Sequence, residues 1–427
     1  MKFENSLNFA RELDQQDDFN KFRIRFYLPT EKGKEQIYFL GNSLGLQPRT
    51  AQSYIKQVLD QWAQYGVEGF LKGKQPWIDY HDQLITPLSK IVGALPHEVV
   101  VMNQLTVNLH LMMVSFYQPS EKRKKIICES KAFPSDQYMF ETHIKHYGLK
   151  PEDVIVEVSP RTGEQTVRLE DILSAIEQNN EELALVLWGG VKYYTGQLFD
   201  MKAITKAAQS SGAKVGFDLA HAAGNVPLQL HNWNVDFACW CSYKYLNSGP
   251  GAVGGVYVHE RYHHDTSIRR LAGWWGYEKA TRFQMKKGFK PVPTAEGWQL
   301  STPSPVLFAA HKAALEIFAE AGMDALTKKS KLLSDYLFYI LDQVNAAQTE
   351  KIIEIITPRP ENERGCQVSM LMLKRGKEIF DKLSQHGIFA DWREPDVIRI
   401  APVPLYNTFE EVWTFGDALQ KILSLQQ

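Results

Sequence analysis

Through the middle of the chain, short apolar runs alternate with helix-length amphipathic segments. Strand-length apolar runs occur at residues 99–102, 125–129, 154–158, 183–188, 214–218, 235–241 and 253–258. Helical periodicity marks 168–179 and 201–211 between them. Runs that are apolar along their whole length, rather than at alternate positions, predict a mostly parallel sheet with helices on both faces. Such sheets bind ligands beyond the carboxyl ends of their strands, so the residues that close or follow each run carry the most weight.

Outside this block the pattern changes. Roughly the first 95 residues read as helical after an irregular start, with 50–62 the best amphipathic candidate. After Ser301 come long helices at 305–320 and 325–344, then αβ material ending in a helix over 408–425. This predicts a large α/β domain over 51–310 and a smaller α+β domain formed by 311–427 together with an amino-terminal arm, 1–50. The segment 266–303 is rich in Gly, Trp and Pro and has no clean period. Loops that long in a compact domain are more often functional than idle.

Composition narrows the class. A length of 427 residues suggests two or three domains, and 44% hydrophobic with 23% charged residues is that of a globular protein with a large core. Lys plus Arg is 48 against 49 for Asp plus Glu, which removes the electrostatic case for nucleic acid or an anionic membrane. Four scattered cysteines, Cys128, Cys239, Cys241 and Cys366, favour a reducing, cytoplasmic setting over a disulfide framework. The charged amino-terminal stretch lacks the apolar region of a secretory signal, and no apolar run reaches 18 residues.

Four features fall at or near strand ends. Asp218 closes the run 214–218, with His221 just beyond; Ser242-Tyr243-Lys244 follows 235–241. The stretch 103–108 (NQLTVN) separates a strand from an apolar helix, and Phe133-Pro134-Ser135-Asp136 lies just past 125–129. Singly, such residues are usually caps or solvated charges. Together they meet the demands of pyridoxal 5'-phosphate (PLP): a lysine for a Schiff base, a carboxylate for the pyridine nitrogen, and helix N–H donors with Thr106 for the phosphate. Phe133 could stack on the ring. Three decoys carry less. Gly249-x-Gly251-x-x-Gly254 matches a dinucleotide fingerprint but leads into a strand. Cys239-x-Cys241 lacks a second Cys/His pair at zinc spacing and His263-His264 lacks a carboxylate at ligand spacing, so no metal is expected.

FDLAHAAGN (217–225) with DFACWCSYKYLN (236–247) resembles the kynureninase family, PLP enzymes of the aspartate-aminotransferase-like fold type I. YFLGNSLGLQP (38–48), LTVNLHLMM (105–113), KAFPSDQY (131–138), YYTGQ (193–197) and IRIAPVPLYN (398–407) follow the same order, so the resemblance spans nearly the whole chain. It implies Lys244 as the Schiff-base lysine, Asp218 as the partner of the pyridine nitrogen, and Tyr243 as a phosphate-side residue and proton donor. It places His221 beside the cofactor, Leu105 and Thr106 in the phosphate turn, and Phe133, Pro134, Ser135 and Asp136 in the ring-stacking segment. Arg399 resembles the arginine that grips the substrate carboxylate, a task suited to a bidentate donor. Trp274 and Thr302 correspond to residues given by the partner subunit, which implies a homodimer with shared active sites. Gly189 departs from the family pattern: relatives can carry a hydroxyl or carboxylate there.

The implied reaction is hydrolysis of L-kynurenine, or its 3-hydroxy form, to anthranilate, or 3-hydroxyanthranilate, and L-alanine, a step of tryptophan catabolism and NAD biosynthesis. The choice of ring stays open, with Ser301, Thr302 and residues 66–77 as candidate determinants. A cysteine desulfurase would need a mobile nucleophilic cysteine, for which Cys366 is the candidate. A PLP-binding regulator of DNA would need a basic DNA-binding extension, which the charge balance does not favour.

Overall fold

The computed structural model describes residues 2–424. Its larger sheet has seven strands: β1 (Val99–Val101), β2 (Lys125–Glu129), β3 (Ile155–Val158), β4 (Leu183–Gly189), β5 (Lys214–Asp218), β6 (Phe237–Trp240) and β7 (Gly255–Val258). Their spatial order is β1-β7-β6-β5-β4-β2-β3. All run parallel except β7, which is antiparallel to both neighbours. Apart from the edge strand β3, where Glu157 is exposed, the sheet is largely buried on both faces, in keeping with its apolar runs. Asp236, within the run expected to start a strand at 235, instead lies just before β6. Its carboxylate accepts from the Val215 N–H at 2.7 Å.

The neighbouring strands β5, β4 and β2 end on Asp218, Gly189 and Glu129. Their carboxyl ends therefore share one rim. Two helices begin at that rim, Leu105–Phe116 after β1 and Pro134–His146 after β2.

The smaller unit contains a four-stranded antiparallel sheet of β8 (Ile353–Ile355), β9 (Val368–Met372), β10 (Asp391–Arg393) and β11 (Val397–Ile400), ordered β8-β9-β11-β10. Helices Met323–Ala346, Gly376–Gln385 and Phe409–Ser424 accompany it. Ala10, Leu13 and Phe39 of the amino-terminal arm join its core. The last residue expected in the final helix, Leu425, lies outside the described residues. The expected boundary at 310/311 falls inside one unbroken helix, Pro305–Ala321, which packs on Ala51–Tyr65 and Asp82–Val92 of the large unit. Along Met323–Ala346 the side chains pass from one core to the other between Leu326 and Leu333. We propose that the units part there. Among the described residues, no helix is long and apolar enough to cross a membrane.

Candidate active site

A cavity of about 210 Å³ opens at the carboxyl ends of β2, β4 and β5, and it gathers most of the expected residues. Its walls include Leu105, Thr106, Phe133, Ser135, Asp136, Asp218, His221, Tyr243 and Lys244. Lys244 is nearly buried, in the turn that follows β6, and its Nζ lies 3.0 Å from Nε2 of His221. The same Nζ is 5.7 Å from the Phe133 ring centroid and 5.8 Å from that of Tyr243. Burial, and then the Lys244 charge, push the His221 imidazole well below its usual range, so it stays neutral. A neutral ring can accept at Nε2 from the ammonium group.

Asp218 and Asp136 form an acid pair in the cavity wall, with Asp136 buried and Asp218 partly so. The Ala220 N–H donates to Asp218 Oδ1 at 2.7 Å, which anchors that carboxylate to the start of the next loop. Burial, and then the charge of Asp218, hold the Asp136 carboxyl far above the ordinary carboxylate range. Asp218 is raised by burial too, but the Ala220 N–H and Lys244 oppose the shift. The direction is clear: Asp136 keeps the proton and Asp218 the charge.

Helix Leu105–Phe116 starts at the cavity wall, and its first N–H groups have no partner within the helix. Asn103, at φ +46°, turns the chain into it; its side chain donates to Asn108 Oδ1 at 3.0 Å, and Asn108 donates to the Met102 carbonyl at 2.8 Å. This tether suits a dipole end that receives a phosphate. Pro134 is the first residue of the opposite helix and is not itself a wall of the cavity. Phe133, half-exposed, rests edge-on against Tyr193 with ring centroids 5.3 Å apart.

Arg399 lies just outside. It stands on β11 directly across from Asp391 of β10, and the register sets up their ion pair. Its Nε donates to Asp391 at 2.6 Å and its Nη1 to the Tyr193 carbonyl at 2.5 Å; Nη2 also bonds Asp391. A guanidinium has five N–H donors, so one remains on each Nη. Through Tyr193, which lines the cavity, Arg399 abuts the site.

Trp274 and Thr302 do not line their own chain's cavity. Both are exposed, Trp274 packing against Trp275 and Phe283 in a loop of short 3-10 turns. Glu129, Gly189, Val191 and Tyr193 do line it. Tyr193 lies within YYTGQ (193–197), and Glu129 closes β2, the strand-end position at which such sheets place site residues.

The alternatives fare differently. Cys366 is wholly buried, and burial pushes its thiol up to about 12, so it is not poised as an accessible nucleophile. Gly249 and Gly251 take positive φ in a turn that leads to β7, with no helix to receive a dinucleotide. Elsewhere Glu98, His231 and His259 cluster. The Glu98 oxygens already accept from the Leu95 and Glu260 N–H groups and contact His231, which makes the cluster a tether between loops.

Residues 326–419 match the model of the kynureninase C-terminal domain, and 79–230 that of the DegT/DnrJ/EryC1/StrS aminotransferase family. Kynureninases of Flavobacterium psychrophilum and Flavobacterium johnsoniae are 54% and 55% identical over 421 residues, covering 99% of this chain and 99% of each relative. That of Myxococcus xanthus is 50% identical over 419 residues, covering 98% and 97%. Among solved structures, a cysteine desulfurase from Thermococcus onnurineus superposes with a TM-score of 0.76 at 18% identity, covering 91% of this chain and 95% of that one. The cystine C-S lyase C-DES, in complex with its product cysteine persulfide, gives 0.75 at 17%, covering 90% and 97%. At that identity the structures speak for the fold, which is fold type I. Identity near half over almost the full length speaks for more: the chain belongs to the kynureninase family.

Proposed function

We propose that this cavity holds PLP and cleaves the Cβ–Cγ bond of L-kynurenine or its 3-hydroxy form, releasing the anthranilate and L-alanine. The observation that carries the reading is the convergence of Lys244, Asp218, Phe133 and a helix amino terminus on one cavity at the strand ends. These groups fit the cofactor's carbonyl, ring nitrogen, ring face and phosphate respectively. When bound, PLP supplies the electron sink that makes the substrate's bonds labile.

The chain's own residues supply placement and proton handling. Lys244 anchors the cofactor, yields it to the substrate amine and then takes the Cα proton as general base. Neutral His221 holds the Lys244 nitrogen in place by accepting its proton's hydrogen bond. The charged Asp218 keeps the ring nitrogen protonated, with the protonated Asp136 at its side. Burial raises the Tyr243 phenol, so it stays protonated and can give a proton to Cβ once the bond to the γ-carbonyl carbon has broken. Water adds to that carbonyl. The remaining donors of Arg399 receive the substrate carboxylate.

The reading includes a homodimer. Trp274, 43% exposed, and Thr302 lie on a surface segment that also presents Leu271, Phe283 and Met285 to solvent. Exposed apolar side chains gathered on one segment, with Trp274 and Phe283 in contact, suit burial against a second subunit. Four free, buried cysteines suit a reducing, cytoplasmic setting. Borohydride reduction of the PLP-loaded protein tests the anchor: peptide mapping is expected to find the pyridoxyl group on Lys244, and a label on another lysine would refute it.

A further inference from the structure

The strand rim contains one position without a side chain. Asp218 and Gly189 are ladder partners at the ends of β5 and β4, and β2 beside them ends on Glu129. The carboxylate of Glu129 takes the space that Gly189 leaves: a Cβ on Gly189 would come within 2.9 Å of Glu129 Oε1. Glu129 is only 6% exposed and lines the cavity. Its Oε2 is 3.1 Å from Lys192 Nζ, and Lys192 also donates to the carbonyls of Ser130 and Lys131 at 2.8 and 2.7 Å. One lysine thus fixes both the carboxylate and the chain leading to Phe133. A buried ion pair adds little stability over an apolar pair, so one that faces a cavity invites a functional explanation.

We propose that Glu129, held by Lys192, replaces the missing side chain at position 189 and accepts a hydrogen bond from the phenolic hydroxyl of PLP. Elimination identifies that hydroxyl. PLP presents a ring N–H, a carbonyl, a phosphate and a phenolic hydroxyl. Asp218 takes the first and Lys244 the second. The phosphate is an anion that a carboxylate repels and that the helix amino terminus attracts. Only the hydroxyl can donate to Glu129. This inference rests on the PLP reading of the cavity. The charged and titratable groups around Glu129 are Lys192, Asp136, Asp218, Cys128 and Tyr193.

A carboxylate there favours the protonated, cationic form of the lysine-linked cofactor and raises the pH at which its visible band changes. Glu129→Gln keeps the volume and removes the charge. The midpoint of that band in the PLP-loaded protein is expected to fall by about 1 pH unit or more. Glu129→Ala with Gly189→Asp returns a carboxylate from the adjacent strand and is expected to restore the midpoint. Should Glu129→Gln not fold, Glu129→Gln with Lys192→Met removes both charges and reads the same midpoint. PLP bound with an unmoved midpoint overturns the inference alone. A wild-type protein that gives no visible band with PLP overturns the reading of the cavity and this inference with it.

Discussion

Lys244 Nζ and His221 Nε2 stand 3.0 Å apart in a buried pocket, and the imidazole stays neutral. The lysine is therefore held by an uncharged acceptor rather than by a carboxylate. A neutral partner fixes the position of the nitrogen without engaging it in a salt bridge. Lys244→Ala is expected to abolish both the visible absorbance of bound PLP and the release of anthranilate. Spectrophotometric titration with PLP and a turnover assay on one preparation check this.

The acid pair predicts an asymmetry. Asp136 already carries a proton, so Asp136→Asn replaces it with a neutral group of the same shape and is expected to cost less than about 10-fold in kcat. Asp218 carries the charge that the ring nitrogen needs, and Asp218→Asn is expected to cost at least about 100-fold. Equal losses in the two variants would contradict the proton assignment.

Arg399 has already committed donors to Asp391 and Tyr193, leaving one on each Nη. Arg399→Lys removes that planar fork while cofactor contacts remain. KM for kynurenine is expected to rise by about 10-fold, worth about 1.4 kcal/mol, with a smaller effect on kcat. An unchanged KM would count against the carboxylate role.

His311 makes a pH prediction away from the site. It is fully buried, Ser248 Oγ lies 2.5 Å from its Nδ1, and burial pushes its pKa down to about 3. The unfolded chain takes up that proton near 6.5, so the unfolded state binds more protons across the window between. The stability is present above about pH 6.5 and is lost as the pH falls toward 3. Between pH 7 and 5, His311 alone is expected to remove about 2 kcal/mol. Urea unfolding at both pH values, compared with His311→Gln, reads it: the variant should lose less stability by about that amount.

Much of the large sheet is legible because buried parallel strands are apolar throughout. The runs 125–129 and 214–218 agree with β2 and β5 end to end. What is not legible is set by distant partners. Ile37–Tyr38 pairs in parallel with Ile388–Phe389, a contact across most of the chain that no local pattern carries. The antiparallel direction of β7 depends on a loop path, not on composition. In the site, Lys244, Asp218 and Phe133 are visible as strand-end chemistry. Glu129 closes a strand as well, but its burial is not legible, because the lysine that makes that burial tolerable comes from the loop after β4. Arg399 is visible by resemblance, but its neighbour Asp391 depends on the β10–β11 register.

The most direct measurement follows both products when L-kynurenine is added to the PLP-loaded protein without any keto acid. Anthranilate and L-alanine in equal amounts, formed over many turnovers and absent from Lys244→Ala, is the expected result. Kynurenine left intact, or consumed only when a keto acid is supplied, would contradict hydrolytic cleavage at this site.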